Sequence, residues 1–311
     1  MKRPLRLAPL LLLVTALAAP ARAADPDYSG LQALLTQYTR VLPAAKGQPW
    51  DARFDYEQLF IDERVAYTYR ADRLSGLHTQ LLAVDLTALT PAERRAWAIN
   101  TYNLLVIERM VLKLLVPGRR LMRYDSPNQV RDDAGSFFAA PVVRLGGVDH
   151  SLTGFERRFV HGDTTADPLD DGTHVREVPS DPRLQFALRR AALCSGPQVP
   201  WVFRGDSLEA QLDRATRIAL ALPRFVRVDT EHGMVMVTNR FFQERADLGG
   251  TSLSGLMPFL VRHGTPALRK VVNSRRLKQP TGFFEPDWKL DQYDHPKPVL
   301  PGQGAEAPAG R

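Results

Sequence analysis

TPAERRAWAINTYNLLVIERMVLKLL, residues 90–115, is the stretch from which the rest of this chain can be laid out. Thr90, Pro91 and Glu93 spell a helix start: a hydroxyl for the orphan amides, a proline where no N–H is needed, and a glutamate reaching back from the third position. Trp97, Leu104, Ile107, Val111 and Leu114 then recur at helical spacing, while Ile99, Val106 and Met110 carry apolar character around much of the rest. A helix apolar on most sides is buried on most sides. If wholly helical, the run is about 37 Å long at ~1.5 Å per residue, the width of a domain of this size. Asn100 and Asn103 fall on or beside the buried stripe, so their amides point inward. An unpaired buried amide costs roughly 1–3 kcal/mol, so each must find either the backbone of a neighbouring loop or a bound substrate.

The 311-residue chain opens with Lys2, Arg3 and Arg6, an apolar run from Leu7 to Ala19, and the small-x-small triplet Ala21, Arg22, Ala23. That is the pattern of a signal peptide over residues 1–23, cleaved before Ala24. The formal net charge of +7 owes four basic residues and no acid to this segment, leaving 37 basic against 34 acidic residues. Without a basic stripe carrying interleaved aromatics, nucleic acid is not an expected partner. No later stretch is long and apolar enough for a membrane span. Cys194 is the single cysteine, which excludes a disulfide within the chain and leaves no acylated cysteine at the cleavage point. The expectation is a periplasmic or secreted protein, residues 24–294 forming one globular domain and residues 295–311 a disordered tail rich in Pro, Gly and Ala.

Outward from the central run, Leu31, Leu34, Leu35 and Tyr38 predict an opening helix over 27–42. Residues 56–89 read as one or two helices, with Gly76 at a junction. Residues 119–140 show no period. Pro141–Leu145, the Gly146–Gly147 turn and Val148 predict a hairpin, after which Ser151 and Thr153 offer caps for a short helix carrying Glu156. The loop 161–174 has four aspartates without the spacing of a calcium-binding loop. Asp181 and Pro182 predict a helix closed by Ser195–Gly196–Pro197, and Asp206 with Glu209 a second capping box opening a helix to Leu222. Phe225–Val228 and Met234–Val237 flank a turn as a hairpin, Asn239 caps a short helix, and 252–262 is a further apolar helix. The sum is an α+β fold: a helix-rich single domain with a buried central helix and a small, mainly antiparallel sheet.

Phosphate-binding glycine motifs, His-Glu-x-x-His and paired-cysteine spacings are missing, and the seven histidines are scattered. No metal and no cofactor is expected. Cys194 has two readings. Beside a histidine it is a nucleophile; otherwise it is a small buried hydrophobe, which the C-terminal end of a helix favours by opposing a thiolate.

WAINTYNLLVIERMV, GGVDHSLTGFERRF, DPRLQFALRRAALCSGP, QLDRATR and EPDWKLDQYD, in that order between about Tyr56 and Asp291, resemble the bacterial domain-of-unknown-function family numbered 547. The resemblance implies an exported or membrane-associated α+β domain of unestablished reaction, in which a histidine precedes Phe-Ala-Leu and a Ser-Cys-Pro follows it. Here Gln185 stands at the histidine position, Arg190 where a cysteine is expected, and Ser195 where an ungapped match puts the thiol. Glutamine is no general base. Two functions stay open. One is a divergent, non-catalytic member binding an envelope ligand or protein partner. The other is a thiol- or serine-type hydrolase or transferase acting on an envelope substrate through Cys194 or Ser195, with His150 as base and Glu156 as orienter. Asn100, Asn103, Gln185 and Arg183 are the candidate substrate-binding residues.

Overall fold

Helix α1 (Ser29–Tyr38) turns Leu31, Leu34, Leu35 and Tyr38 into the core, as their spacing requires. The computed structural model describes residues 26–42, 49–65, 68–69, 72–114, 124–173 and 176–294. The signal peptide read over 1–23, the tail read over 295–311, and the Pro117–Gly118 helix stop lie outside the described residues. Strands β1 (Thr39–Val41) and β2 (Ala52–Phe54) pair antiparallel and lead into α2 (Tyr56–Asp62), which Asp55 caps by accepting from the Gln58 amide. A short hairpin, β3 (Arg64–Val65) with β4 (Thr68–Tyr69), then precedes α3 (Asp72–Leu82). The expected junction at Gly76 is instead the interior of α3. Leu74, Leu77 and Leu81 anchor that helix in the core, and their burial outweighs the roughly 1 kcal/mol a mid-helix glycine costs.

Helix α4 (Pro91–Leu114) is the central rod. Its capping box closes as the sequence demands, Thr90 N–H donating to Glu93 Oε2 at 2.7 Å and Glu93 N–H to Thr90 Oγ1 at 3.3 Å. Every residue from Ala96 to Ile107 is buried. Trp97 donates its indole N–H to the Leu81 carbonyl at 2.8 Å, so α3 and α4 are pinned as well as packed. Beyond α4 come the hairpin of β5 (Arg131–Asp132) and β6 (Gly135–Ser136), and the predicted hairpin of β7 (Pro141–Leu145) and β8 (Val148–Ser151). Ser151 caps α5 (Leu152–Phe155) through the Gly154 amide, and one π turn, Glu156–Val160, follows without a break.

The helix expected from Asp181 is reduced to a single 3-10 turn at Leu184–Phe186. The cause is tertiary: Asn103 of α4 donates to the Ala187 carbonyl at 3.0 Å and accepts from the Arg189 amide at 2.8 Å. Those two backbone groups are thereby taken from any helical ladder, and the chain runs irregularly to residue 200. Helix α6 (Leu208–Leu220) begins at Ser207 without a side-chain cap: the Ser207 hydroxyl donates to Asp206 at 2.9 Å, and Glu209 reaches Arg183 at 2.6 Å instead of its own helix start. Strands β9 (Val226–Asp229) and β10 (Met234–Thr238) form the predicted hairpin and lead into α7 (Arg240–Gln243). Asn239 occupies the first position before α7 but gives its amide to Glu285 rather than capping. Helices α8 (Leu256–His263) and α9 (Pro266–Arg275) precede β11 (Gly282–Phe284), which adds to β10 in parallel. The other strand pairs are antiparallel, so the sheet content is small and mainly antiparallel.

Two apolar clusters result. The larger gathers around α4, and the smaller packs α8 and α9 on the β9–β10 hairpin. Helix α6 bridges them, Leu208 and Leu212 facing the first and Ala219 and Leu220 the second. Among the described residues, no helix is long and apolar enough to cross a membrane.

Candidate functional site

The π turn after α5 sets the site. An i→i+5 hydrogen bond, His161 N–H to the Glu156 carbonyl at 3.1 Å, widens the coil by one residue. Side chains five apart then face each other, and His161 Nε2 lies 3.4 Å from Glu156 Oε1. From the opposite side comes Arg190, whose guanidinium donates to the same oxygen at 2.5 Å. The irregular segment aims it: Arg189 turns into the core over the Phe54 ring, Arg190 turns the other way, and Ala191 bends the chain in the left-handed region at φ 52°. A non-glycine residue there is strained, and Asn103 on one side with the Asp291 amide bonded to the Ala191 carbonyl on the other hold the bend.

A second acidic group closes the cluster. Arg240 opens α7 and Glu244 follows it, four residues on, with Arg240 Nη2 at 3.3 Å from Glu244 Oε1. Arg190 lies 3.8 Å from that oxygen, and Arg176 lies 3.2 Å from Glu244 Oε2 and 2.6 Å from Asp247. Glu156, Arg176, Arg240 and Glu244 are all buried. Together with Arg157, Thr153, Asp171, Phe138, Gln243 and Trp288 these side chains line a cavity of about 490 Å³. Phe284 accepts from the Asn239 amide at 2.7 Å, so the end of β11 is tied to the start of α7; Trp288 follows and sits 5.9 Å from the Arg240 guanidinium.

Electrostatics lock these groups. Burial alone would raise the Glu156 carboxyl, but the Arg190 charge and the His161 hydrogen bond overcome it and hold Glu156 well below the usual carboxylate range. Burial likewise opposes ionisation of Glu244, and Arg240 with Arg190 reverse that. Burial, with Glu156 nearby, pushes the Tyr102 hydroxyl up. The acidic groups and arginines of the cavity floor are therefore carboxylates and guanidiniums at neutral pH, and the His161 imidazole lines the same cavity beside Glu156.

Of the eight residues singled out from sequence, Glu156 alone lines this cavity. His150 is buried at the end of β8 with its ring 5.3 Å from Phe159, edge to face. Ser195 is buried and donates its hydroxyl to the Ala192 carbonyl. Cys194 is buried too; desolvation pushes its thiol up although Arg240 and Arg190 pull the other way. Among the described residues, no histidine nitrogen is hydrogen-bonded to Cys194 Sγ or Ser195 Oγ. Asn100 spends its amide on both backbone groups of Phe203, at 2.7 and 2.9 Å, as Asn103 does on Ala187 and Arg189. Gln185 donates to the Pro182 carbonyl. Arg183 is held by Asp181, Glu209 and Asp213. Among the described residues, no group of three or more His, Cys, Asp or Glu side chains is arranged to hold a metal ion.

Residues 86–218 match the family model described as a protein of unknown function, DUF547. Over that segment, less than half of its length, the chain is similar to the DUF547 family. The match is narrower than the span over which the sequence motifs resemble that family, and it supplies Glu156, His161, Arg176 and Arg190 to the cavity. Arg240, Gln243, Glu244 and Trp288 come from beyond its end. No curated protein and no solved structure matches the chain.

Sequence reasoning met Arg190 only as a departure from the DUF547 pattern, and His161 only as one of several scattered histidines. It passed over Arg176, Arg240 and Glu244. A weak signal existed for the last two, an arginine and a glutamate four apart on a short predicted helix. Trp288 lay in plain view inside EPDWKLDQYD.

Proposed function

We propose that this chain is an exported, non-catalytic protein that takes a ligand into the cavity built around Glu156 and Arg190. One observation carries the reading: where the family resemblance leads one to expect a cysteine, the cavity wall presents Arg190, ion-paired to Glu156 at 2.5 Å. A guanidinium is charged at any accessible pH and has no lone pair to attack with; it orients and donates. The neighbouring thiol and hydroxyl support the same reading, since Cys194 and Ser195 are buried away from the cavity lining. Export rests on the signal-peptide pattern of residues 1–23.

The test is labelling of the native protein with iodoacetamide and with a serine-directed fluorophosphonate, comparing wild type with Cys194→Ala and Ser195→Ala. The expected result is no labelling at neutral pH until denaturant is added, because a desolvated thiol with a raised pKa holds little thiolate. Native labelling lost in either variant would restore the hydrolase reading. For export, expression in a Gram-negative host should place the protein in the periplasmic fraction with Ala24 as its first residue.

A further inference from the structure

The arginines of the cavity wall arrive already matched. Arg190 faces Glu156 at 2.5 Å, Arg240 faces Glu244 at 3.3 Å, Arg176 faces Asp247 at 2.6 Å, and Arg157 faces Asp170 at 2.5 Å. Arg131 also lines the cavity but is exposed, as is Asp171 of opposite sign, and solvent and salt screen both. An anionic ligand entering here would compete with carboxylates already in place, and a cationic one with the guanidiniums. The cavity is rich in charge and nearly empty of net charge.

What it retains is hydrogen-bonding capacity. A guanidinium has five N–H donors and a carboxylate about four lone-pair sites, so each ion pair leaves donors and acceptors side by side. Two lining residues keep a buried nitrogen without a partner, Arg190 at Nε and His161 at Nδ1. Neutral amides and hydroxyls, Gln243 and Thr153 among them, extend the polar lining. Opposite this polarity stand flat apolar groups: Trp288, half-buried, meets the Phe138 ring edge to face at 6.3 Å, and both line the cavity. Adjacent donors and acceptors facing an aromatic platform match one ligand chemistry well. A sugar ring carries hydroxyls that each donate and accept, and its C–H face packs on an aromatic ring. A volume of about 490 Å³ lies within the ~300–1,000 Å³ of small-molecule sites.

We propose that the cavity binds a short neutral saccharide, with Trp288 as the stacking platform and the Glu156–Arg190 and Glu244–Arg240 pairs as the hydroxyl-reading floor. This assignment rests on the binding reading above and specifies its ligand class. The experiment is calorimetric titration of the full mature chain with neutral tetrasaccharides of glucose in β-1,4 and α-1,4 linkage, of xylose, of mannose and of N-acetylglucosamine. Tetragalacturonate, the glucosamine tetramer and inorganic phosphate are the charged comparators, each run at low and high salt.

The expected result is binding of at least one neutral tetrasaccharide, with an affinity that barely changes with salt. Trp288→Ala should weaken it by about tenfold or more, the value of a lost aromatic contact, while Arg217→Ala, exposed on α6 and outside the cavity lining, leaves it unchanged. Circular dichroism and Tm check that each variant folds; should Trp288→Ala fail to fold, Gln243→Ala, altered at an exposed side chain, carries the test and should also weaken binding. Binding confined to galacturonate or phosphate and fading with salt overturns the assignment, as does a panel that gives no heat. Either result with Cys194 and Ser195 still unlabelled removes the saccharide alone, whereas native labelling of those residues removes the binding reading beneath it.

Discussion

Glu156 and Arg190 are a buried ion pair, so each is worth most as the other's partner. Replacing Glu156 with Leu leaves the Arg190 guanidinium only Glu244, at 3.8 Å, as counter-charge, at an expected cost of roughly 3–5 kcal/mol, whereas Glu156→Leu combined with Arg190→Met should cost markedly less than the sum of those two changes made singly. Urea unfolding of the four proteins in that cycle decides it. The pH dependence follows from the same pair. The Glu156 pKa in the folded state is depressed below its unfolded value near ~4.3, so its contribution is fully present above that pH and drains away as pH falls further. Stability measured from neutral to strongly acidic pH should drop along an acid limb that Glu156→Gln makes shallower. Asn103 makes the complementary case. Its inward orientation was legible from spacing, yet whether it met backbone or substrate was not, since that depends on a segment more than eighty residues away. Asn103→Ala should cost about 2–4 kcal/mol by stranding the Ala187 carbonyl and the Arg189 amide, and Asn103→Asp at least as much at neutral pH, because a buried carboxylate still accepts from Arg189 but sets an oxygen against the Ala187 carbonyl.

Between elements, close backbone approaches fix the site, and two glycines permit them. Gly154 in α5 is so near the loop over 161–173 that an added Cβ would lie 1.9 Å from the Pro168 carbonyl oxygen; at Gly196 it would lie 2.0 Å from the Phe186 carbonyl oxygen. Neither neighbour is a flexible side-chain tip, so backbone must move. Gly154→Ala and Gly196→Ala should each destabilise by at least roughly 1–3 kcal/mol in denaturant titration. Gly76→Ala, on α3 with open space around it, should instead be neutral or stabilising by up to ~1 kcal/mol. The sequence marks Gly76 as a junction and Gly196 as part of a helix stop, and gives no sign of the close approach at Gly154. Capping boxes show a similar limit. Thr90–Glu93 closes reciprocally at its own helix start, while Glu209 is drawn off its predicted box by Arg183, which lies outside the helix altogether.

Across the whole molecule, the segment from Asp287 to Tyr293 is the tie. Its backbone accepts from Cys194, Leu193 and Phe54, and its own amides donate to Asp125, Ala191 and Phe54. The Gln292 side chain accepts from the Tyr56 amide at 2.9 Å. One short stretch thus joins β2, the loop before β5 and the irregular run behind Arg190, and sets Trp288 at the cavity. Ending the chain after Glu285 should lower Tm and speed hydrogen exchange at Phe54, Leu193 and Cys194 well before the β9–β10 hairpin is affected, because that hairpin belongs to the other apolar cluster. Exchange that accelerates evenly over both clusters would show the tie to be incidental.

The sequence by itself determined what a few neighbouring residues can decide: a long buried helix with its capping box, the amphipathic opening helix, the two main hairpins, the cap at Ser151 and the inward pair of asparagines. Periodicity, turns and caps act over the length of an element, so they are written in adjacent positions. Only the tertiary structure decided that Cys194 and Ser195 stand off the cavity, that a π turn sets Glu156 against His161, and that Arg176, Arg190, Arg240, Glu244 and Trp288 meet there. Burial and charge pairing join residues separated by dozens of positions, and no local pattern carries the identity of a partner that far away.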